Sequence, residues 1–446
     1  VRDKISGFRV DSVSESTDLN AKLLGFTHEK SGARLLYVKN DDPELAFSIS
    51  YHTPYVDETD TNHIFEHAII ASSEKYPGSD LFFDMASKSY NTFINAFTYD
   101  TFTAYPLSTR SEEQLIKLMD VYLSCMTNPD ILKNENIYKR EALRYELQDP
   151  DDEIQMTGTV YSEDFGKLTD VADEARNNVA DALYPGQYAS NMIGRAHRNY
   201  QDLSYEAALA TYDRCYHFDN SMFFLYGDMD YNRILDFIDR EYLSKAEKNG
   251  TDLSAYMDAP SKNGFVESMV YAPAYEGDTE DNASQIDYAF SLENESWEDL
   301  IAWSVLADAM NKGDSVYNEM LDEQGIKNQA DVSVNLYSAK PYLTFRLYYA
   351  EPEQSSAFKD AVQQTLSLVS EEGIDKITVK QIAKEAELER CLLRDKSNAG
   401  VEMFPDVANY WTHTGKLEYF ELCEQVFDAI KNDRKQKIFR RLAKDA

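Results

Sequence analysis

His63-Ile64-Phe65-Glu66-His67 is the stretch around which the rest of the chain is organised. If Asn62 to Ser72 form a helix, His63 and His67 lie one turn apart on one face, and Glu66 points to the same side. Two neutral imidazoles at this spacing can bind one Zn²⁺, and the order H-x-x-E-H is the reverse of the zincin H-E-x-x-H. An ordinary surface helix with two histidines and a glutamate is the alternative that the pattern leaves open.

Composition narrows the classes of protein and partner. A chain of 446 residues predicts two or three domains, and 44 Lys+Arg against 79 Asp+Glu give a net charge of −35. Such a surface repels nucleic acid and favours basic partners, although a merely soluble acidic surface stays an alternative. The four cysteines show no C-x-x-C spacing, so neither a thiolate metal site nor a disulfide framework is indicated. No apolar run approaches the roughly 18 residues of a membrane span, and the compartment is left undetermined.

The first part of the chain alternates strand and helix patterns. Strands are predicted over 34–38, 46–51 and 221–227, and a hairpin over 92–99 and 102–107. Helices are predicted over 62–72, 80–87 and 231–243, after the capping sequence Ser111-Glu112-Glu113-Gln114, and from Asn134 to Leu147.

The second part repeats this order of elements. Strands are predicted over 265–271, 285–292, 330–337 and 342–350, and helices over 297–310, 315–322, 355–371 and 378–394. The fold class is therefore α+β, with two homologous domains that each contain a mixed, largely antiparallel β-sheet flanked by helices. We place them at 1–245 and 265–446, with a polar linker at 246–264. The second copy has no histidine in its first helix and no counterpart of the 221–227 strand, so we expect it to lack a metal site and to be truncated.

Most of residues 1–245 resemble the pitrilysin/insulinase zinc metallopeptidases, and within them the presequence-protease and falcilysin branch. The resemblance implies the fold of pitrilysin and the mitochondrial processing peptidases. Over 265–446 the likeness is weaker and mostly one of pattern. The segments that carry the resemblance are Lys4–Phe8, Ser31–Arg34, His63–His67, Ser73–Pro77, Phe82-Phe83, Thr92–Thr98 and Tyr105-Pro106.

The resemblance implies the roles of four residues. His63 and His67 correspond to the two histidine ligands of zinc, and Glu66 to the general base. The segment Gly158–Gly166 matches the frame that supplies the third ligand in the family, which makes Glu163 that ligand.

Two departures and three competitors qualify this assignment. Ser162 stands where the family usually has Asn, and Asp164 where it usually has Met. The competing carboxylates, each otherwise an ordinary solvated charge, are Glu141, Glu146 and Glu153.

The resemblance also implies a substrate-binding strand, made of Asn95, Ala96, Phe97 and Thr98. An exposed strand edge offers main-chain hydrogen bonds that accept many peptide sequences. An ordinary hairpin strand is the alternative.

A zinc-dependent endopeptidase that hydrolyses unfolded peptides through a metal-activated water is the function that the resemblance implies. Zn²⁺ is then the cofactor, and peptides, basic ones included, are the substrates. Family members of this branch join two such halves in one chain, so the expected partner is a missing C-terminal half or a homologous subunit. No nucleic-acid or membrane partner is expected. The alternative is a non-catalytic or partner-dependent subunit of the same fold, inactive without a second half.

Overall fold

A computed structural model of the chain describes residues 4–167, 171–185, 200–257, 264–270 and 284–446. No helix in these ranges is both long and apolar enough to span a bilayer. The strands are β1 (Lys4–Ile5), β2 (Phe8–Ser16), β3 (Ala21–His28), β4 (Arg34–Lys39), β5 (Leu45–His52), β6 (Phe93–Ile94), β7 (Phe97–Thr98), β8 (Phe102–Thr109), β9 (Arg144–Glu146), β10 (Gln155–Thr157), β11 (Ser221–Tyr226), β12 (Gln285–Ser291), β13 (Ala330–Asn335) and β14 (Tyr342–Tyr348). The helices are α1 (Thr61–Ile69), α2 (Leu81–Lys88), α3 (Glu112–Thr127), α4 (Glu135–Glu141), α5 (Thr159–Lys167), α6 (Val171–Leu183), α7 (Tyr205–Cys215), α8 (Tyr231–Glu241), α9 (Ser254–Met257), α10 (Trp297–Met310), α11 (Val316–Glu323), α12 (Ser355–Glu372), α13 (Lys376–Leu393), α14 (Ala399–Thr414), α15 (Tyr419–Asn432) and α16 (Lys437–Asp445).

The chain divides into two compact units that each draw on several segments. The first contains the described residues of 1–166, 191–256 and 391–417, and the second contains those of 167–190, 257–390 and 418–446. These units are defined by contacts between residues, whereas the predicted domains are continuous ranges of the sequence. The two ways of dividing the chain therefore cannot be compared directly. The domain ranges predicted from the sequence therefore stay a prediction.

Strand β11 lies at the centre of the sheet in the first unit. All six of its residues are buried, as expected of a strand that is covered on both faces. It pairs parallel with β4 and antiparallel with β5, and the other pairs of this sheet are antiparallel. The strand order is β1-β2-β3-β4-β11-β5-β8-β6, with β7 also on β8. The sheet is mixed and largely antiparallel, as predicted, and β1 to β3 extend it beyond the predicted strands.

The two faces of this sheet are covered by different helices. Phe47 and Ile49 of β5 point into a core shared with α1 and α3. Ala46, one residue away, points to the opposite face, which α14 covers. A Cβ at Gly400 would lie 2.5 Å from the Cβ of Ala46 and 2.7 Å from the Cβ of Tyr226. The glycine therefore lets the backbone of α14 lie directly on the strands.

The second unit contains a three-stranded antiparallel sheet in the order β12-β14-β13. Helix α10 spans Trp297–Met310, as predicted, and carries no histidine. The strand predicted over 265–271 is wrong for its described part: residues 265–270 form no strand. Phe265 and Met269 are exposed, and Phe265 contacts the ring of Tyr288 on β12 with its side chain while its backbone joins no sheet. Residue 271 lies outside the described residues.

The helix predicted from Asn134 to Leu147 is wrong in its second half. Helix α4 ends at Glu141, and the chain turns so that β9 pairs antiparallel with β10. Gly158 allows this hairpin to close tightly at its base, because a Cβ there would lie 2.2 Å from the carbonyl oxygen of Ala142. Helices α4 and α5 are therefore connected by residues 144–157, which form the 144–157 hairpin.

Replacing Gly400 by alanine is expected to lower the free energy of unfolding by roughly 1–3 kcal/mol, because the added methyl group overpacks a closed contact between helix and sheet. The gain in helix propensity, about 1 kcal/mol, offsets only part of this loss. Urea unfolding followed by circular dichroism measures the change. Gly78→Ala is the matched control, because no atom lies within 4 Å of a Cβ at that position. Equal unfolding midpoints for the two variants would contradict the packing of α14.

Candidate active site

Helix α1 carries the motif on one side and a core face on the other. Ile64 and Phe65 pack into the hydrophobic core. Every residue of α1 except His67 is buried, and the helix contacts α4, α7 and the strands β7 and β8. The burial fixes the orientation of the helix, so its polar side chains project to a defined place.

Three predicted ligands meet beside this helix. The Nε2 atom of His63 lies 3.4 Å from Oε2 of Glu163, and the Nε2 atom of His67 lies 3.9 Å from the same oxygen. The two imidazole rings are 5.0 Å apart between centroids. His63, His67 and Glu163 form a group whose donor atoms are close enough to hold one metal ion. The structure thus brings together residues from α1 and α5 that are about 100 positions apart in the chain.

A second carboxylate lies behind each histidine. Nδ1 of His63 is 2.9 Å from Oδ2 of Asp60, and Nδ1 of His67 is 3.6 Å from Oε2 of Glu141. Each imidazole therefore turns its Nε2 to the common space and its Nδ1 to an acidic partner. Metal-binding histidines in proteins almost always have such a partner on the second nitrogen, because it fixes the tautomer and the ring orientation.

The competing carboxylates occupy other places. Glu141 faces Nδ1 of His67 and also accepts a hydrogen bond from Nε of Arg140 at 2.5 Å. Glu146 pairs with Arg144 at 2.6 Å on β9. Glu153 is exposed near the tip of the 144–157 hairpin. Of the four candidate carboxylates, Glu163 is the one that faces Nε2 of both histidines.

Burial and charge oppose each other at this site. Burial lowers the pKa of His63, but the charge and hydrogen bond of Asp60 outweigh it and raise that pKa to about 9. Burial also lowers the pKa of His67, but the carboxylates around it, Glu141 first and then Glu66, together outweigh burial and raise that pKa. Burial raises the pKa of Glu141, whereas hydrogen bonds with His67, Arg140 and Thr159 lower it to about 2. At neutral pH, Glu141 is therefore a charged partner for His67.

Glu66 lies buried in the same cluster. Its Oε2 accepts a hydrogen bond of 2.8 Å from the hydroxyl of Thr98. Burial raises the pKa of this carboxyl, and the neighbouring His63, His67 and Thr98 act in the opposite direction, leaving the pKa above its ordinary value. A carboxylate with a raised pKa is suited to accepting and returning a proton.

The predicted substrate strand lies at a sheet edge. The strand predicted over 92–99 consists of two short pieces, β6 and β7, separated by Asn95 and Ala96. Among the described residues both pieces pair only with β8. The N–H of Asn95 donates to the carbonyl of Pro106 at 3.2 Å, and its own carbonyl accepts from the hydroxyl of Tyr122 at 2.8 Å. Substrate binding by Asn95, Ala96, Phe97 and Thr98 stays a prediction.

A second possible donor group overlaps the first. Asp60, His63 and Asp164 are all buried and close enough to hold an ion. Asp164 stands where the resembling family usually has Met, and its charge contributes to the raised pKa of His63. Because Asp60 faces Nδ1 of His63, this group does not include the Nε2 atoms that face Glu163.

Sequence reasoning missed Asp60 and the bond between Thr98 and Glu66. The contact of Asp60 with His63 could have been predicted from the sequence, because Asp60 lies three residues before His63 and therefore one turn away at the start of the helix. The hydrogen bond from Thr98 to Glu66 could not, because 32 positions separate the two residues.

Comparisons with known proteins relate the chain to a family of peptidases. The family model "Insulinase (Peptidase family M16)" matches residues 56–169, which include α1 and Glu163. The model "Peptidase M16 inactive domain" matches residues 202–385. Together the two matches span both units of the chain.

Two curated relatives and one solved structure extend the likeness to nearly the whole chain. Protein HypA of Clostridium perfringens is 27% identical over 440 residues, 96% of this chain and 45% of HypA. The mitochondrial presequence protease of Xenopus tropicalis is 26% identical over 425 residues, 93% of this chain and 40% of that protein. This chain thus spans less than half the length of these relatives. The crystal structure of a protease from Helicobacter pylori matches with a TM-score of 0.71 at 14% identity, over 95% of this chain and 96% of that one, a likeness of fold. The α+β fold of two such domains is thereby confirmed, and the chain belongs to the insulinase family of peptidases.

Proposed function

We propose that this chain is the catalytic half of a zinc-dependent endopeptidase that hydrolyses unfolded peptides. The observation that carries the proposal is the convergence of Nε2 of His63, Nε2 of His67 and a carboxylate oxygen of Glu163, with Glu66 beside them. The peptidase family of the chain supports the same reaction class.

The donor set suits zinc. Two imidazole nitrogens and one carboxylate oxygen form a common ligand set of catalytic zinc sites, which leave a fourth position open. The carboxylates of Asp60 and Glu141 behind the histidines are the outer partners that such ligands need. His63, His67 and Glu163 would hold the ion, and zinc, when bound, would supply a Lewis acid that polarises the scissile carbonyl.

The side chains around the ion divide the remaining work. Glu66 accepts a proton from the attacking water and passes it to the nitrogen of the leaving amine. Thr98 holds the carboxylate of Glu66 in one orientation through its hydroxyl. The edge made by β6 and β7 binds the main chain of an extended peptide next to the reacting bond.

Unfolded peptides, basic ones included, are the substrate class that these features favour. Main-chain pairing at a strand edge needs an extended segment and reads little of its sequence. The net charge of −35 attracts positively charged peptides and repels acidic ones.

Dependence on a partner is the second candidate. HypA and the presequence protease each extend over more than twice the region that matches this chain. A second half, or a homologous subunit, would then be needed to complete the binding site for the peptide. Hydrolysis of a quenched peptide by the purified chain alone, compared with hydrolysis after addition of the unmatched portion of HypA, separates the two candidates.

Glu66→Gln is expected to keep stoichiometric zinc and to lose at least roughly 10²-fold in kcat, because only the proton acceptor is removed. Glu163→Ala is expected to lose the zinc itself, as measured by atomic emission on the dialysed protein.

The control for both variants is Glu74→Gln, which neutralises an exposed carboxylate that pairs with Lys133. Wild-type turnover in Glu66→Gln would refute the general-base role, and full zinc in Glu163→Ala would refute the ligand.

Asp60→Asn and Glu141→Gln are each expected to weaken zinc binding by about 10–100-fold, because a neutral amide holds the imidazole less firmly than a carboxylate does. Competition against a chelating dye measures the affinity. Asp84→Asn, which removes an exposed charge on α2, is the matched control. Affinities within twofold of wild type for both variants would show that the two carboxylates are not needed.

Thr98→Val is expected to lower kcat by roughly tenfold or more with little change in KM, because a hydrogen bond to a charged group contributes about 1.5–3 kcal/mol. Thr98→Ser keeps the hydroxyl and is expected to restore most of the rate. A rise of KM alone, or no recovery with serine, would contradict the positioning of Glu66 by this hydroxyl.

A further inference from the structure

The 144–157 hairpin carries an apolar face that nothing in the described structure covers. Tyr145 and Met156 lie directly opposite each other in the β9–β10 pair. Leu147 and Ile154 lie one residue beyond the ends of β9 and β10 toward the tip, two positions from Tyr145 and Met156, so continued alternation of side chains would place them on the same face. The exposed fractions are 69% for Tyr145, 51% for Leu147, 69% for Ile154 and 42% for Met156. Four large apolar side chains grouped on one exposed face are typical of a binding surface.

The opposite face and the tip of the hairpin are polar. Arg144 and Glu146 form an ion pair of 2.6 Å on the other side of β9. The tip carries four acidic side chains within five positions, and no Lys or Arg occurs between Tyr145 and Thr157. Asp152 accepts a hydrogen bond from the N–H of Asp149 at 3.1 Å, which shapes the turn. The apolar face is thus bordered by uncompensated negative charge from Asp149, Asp151, Asp152 and Glu153.

Both ends of the hairpin are tied to the candidate metal centre. Glu141, which faces Nδ1 of His67, lies three residues before β9. Glu163 lies six residues after β10, and the backbone at Gly158 rests against the carbonyl of Ala142. A ligand on this hairpin is therefore held close to the residues that surround the ion.

The β9–β10 pair also has unpaired edges. In the described part of the chain these two strands form a sheet of their own, with no third strand. An extended peptide can add to such an edge through main-chain hydrogen bonds and place alternate side chains on the apolar face.

The negative charge around this surface determines which kind of ligand can bind to it. A second copy of the chain would bring its own acidic tip and its net charge of −35 against the same charges. An anionic lipid surface and the phosphates of a nucleic acid are repelled for the same reason. A peptide that combines large apolar side chains with Lys or Arg matches both the face and the tip.

We propose that the 144–157 hairpin is a second binding surface for the peptide substrate, which receives an extended, apolar and basic segment outside the β6–β7 edge. The inference rests on the proposed function in one respect, namely that the bound peptide is also the one that is cleaved. Binding to the hairpin itself does not require catalysis.

The first experiment measures binding without turnover. A labelled peptide of about 20 residues, rich in Leu and Arg, is titrated by fluorescence anisotropy into the full chain carrying Glu66→Gln. Adding Tyr145→Ser and Met156→Ser is expected to raise Kd by roughly tenfold or more, as for exposed aromatic anchors elsewhere. Ile377→Ser with Leu388→Ser, two exposed apolar residues on α13, is the matched control and is expected to leave Kd unchanged. Equal Kd values for all these proteins, with thermal unfolding unchanged, would overturn the inference.

The second experiment tests the charge of the tip. Asp151→Asn with Glu153→Gln is expected to weaken binding at low salt and to reduce the salt dependence of Kd. Asp152 is left unchanged because its carboxylate accepts the hydrogen bond that shapes the turn. Glu371→Gln with Glu372→Gln removes the same charge at the end of α12 and is the control. A peptide with every Arg replaced by Glu is expected not to bind. Tight binding of that acidic peptide would overturn the charge argument.

The outcomes separate this inference from the proposed function. On the wild-type background, Tyr145→Ser with Met156→Ser is expected to raise KM and leave kcat near wild type. Absence of hydrolysis in every protein would refute the proposed function and leave the binding result standing. Normal hydrolysis with unchanged Kd and KM would refute the hairpin surface alone. A dimer that the double variant dissociates, or cosedimentation with phosphatidylserine vesicles, would assign the face to a different occupant and also overturn it.

Discussion

Charged side chains that leave water need partners, and this constraint organises the site around α1. Glu66 and His63 are buried and His67 is largely buried, so each charge has to be balanced within a few ångströms. Asp60 and Glu141 balance the imidazoles at Nδ1, and this leaves both Nε2 atoms turned to Glu163. The geometry that suits a metal ion is therefore also the geometry that makes the burial of these groups tolerable.

The sheet determines where this cluster faces. The core side of α1 packs on the strands, and the polar side is left beside β7, the last piece of strand on the sheet edge. The hydroxyl of Thr98 joins that edge to the carboxylate of Glu66. Under the proposed function, a peptide on this edge and the carboxylate of Glu66 would share one support, which is the arrangement that precise positioning requires.

The 144–157 hairpin adds an exposed arm to this rigid support. It connects the helix of Glu141 to the helix of Glu163, so its four exposed apolar side chains are attached to the two helices that border the candidate metal centre. An exposed apolar patch is an aggregation liability unless a partner covers it. In a protein with a net charge of −35, that partner is expected to be positively charged.

Local pattern was sufficient to predict the central motif and most of the elements. The spacing of His63, Glu66 and His67 needs only a helix to place three side chains on one side, and the apolar segment Trp297–Met310, predicted as a helix, forms α10 at these bounds. The α+β class follows from the same short-range signals, which act within a few residues and are therefore readable from the chain.

Pairing between distant segments was decided only by the tertiary structure. Helix α4 ends at Glu141, and residues 144–146 pair with residues 155–157. The apolar stretch 265–270 pairs with no strand in the part of the chain that the structure describes. The partners of the motif, Thr98 for Glu66 and Glu141 for His67, likewise lie 32 and 74 positions away. The sequence by itself determined which side chains are candidates for the proposed chemistry. Only the folded chain decided which carboxylate faces which nitrogen, because that depends on the packing of helices and strands that local pattern does not encode.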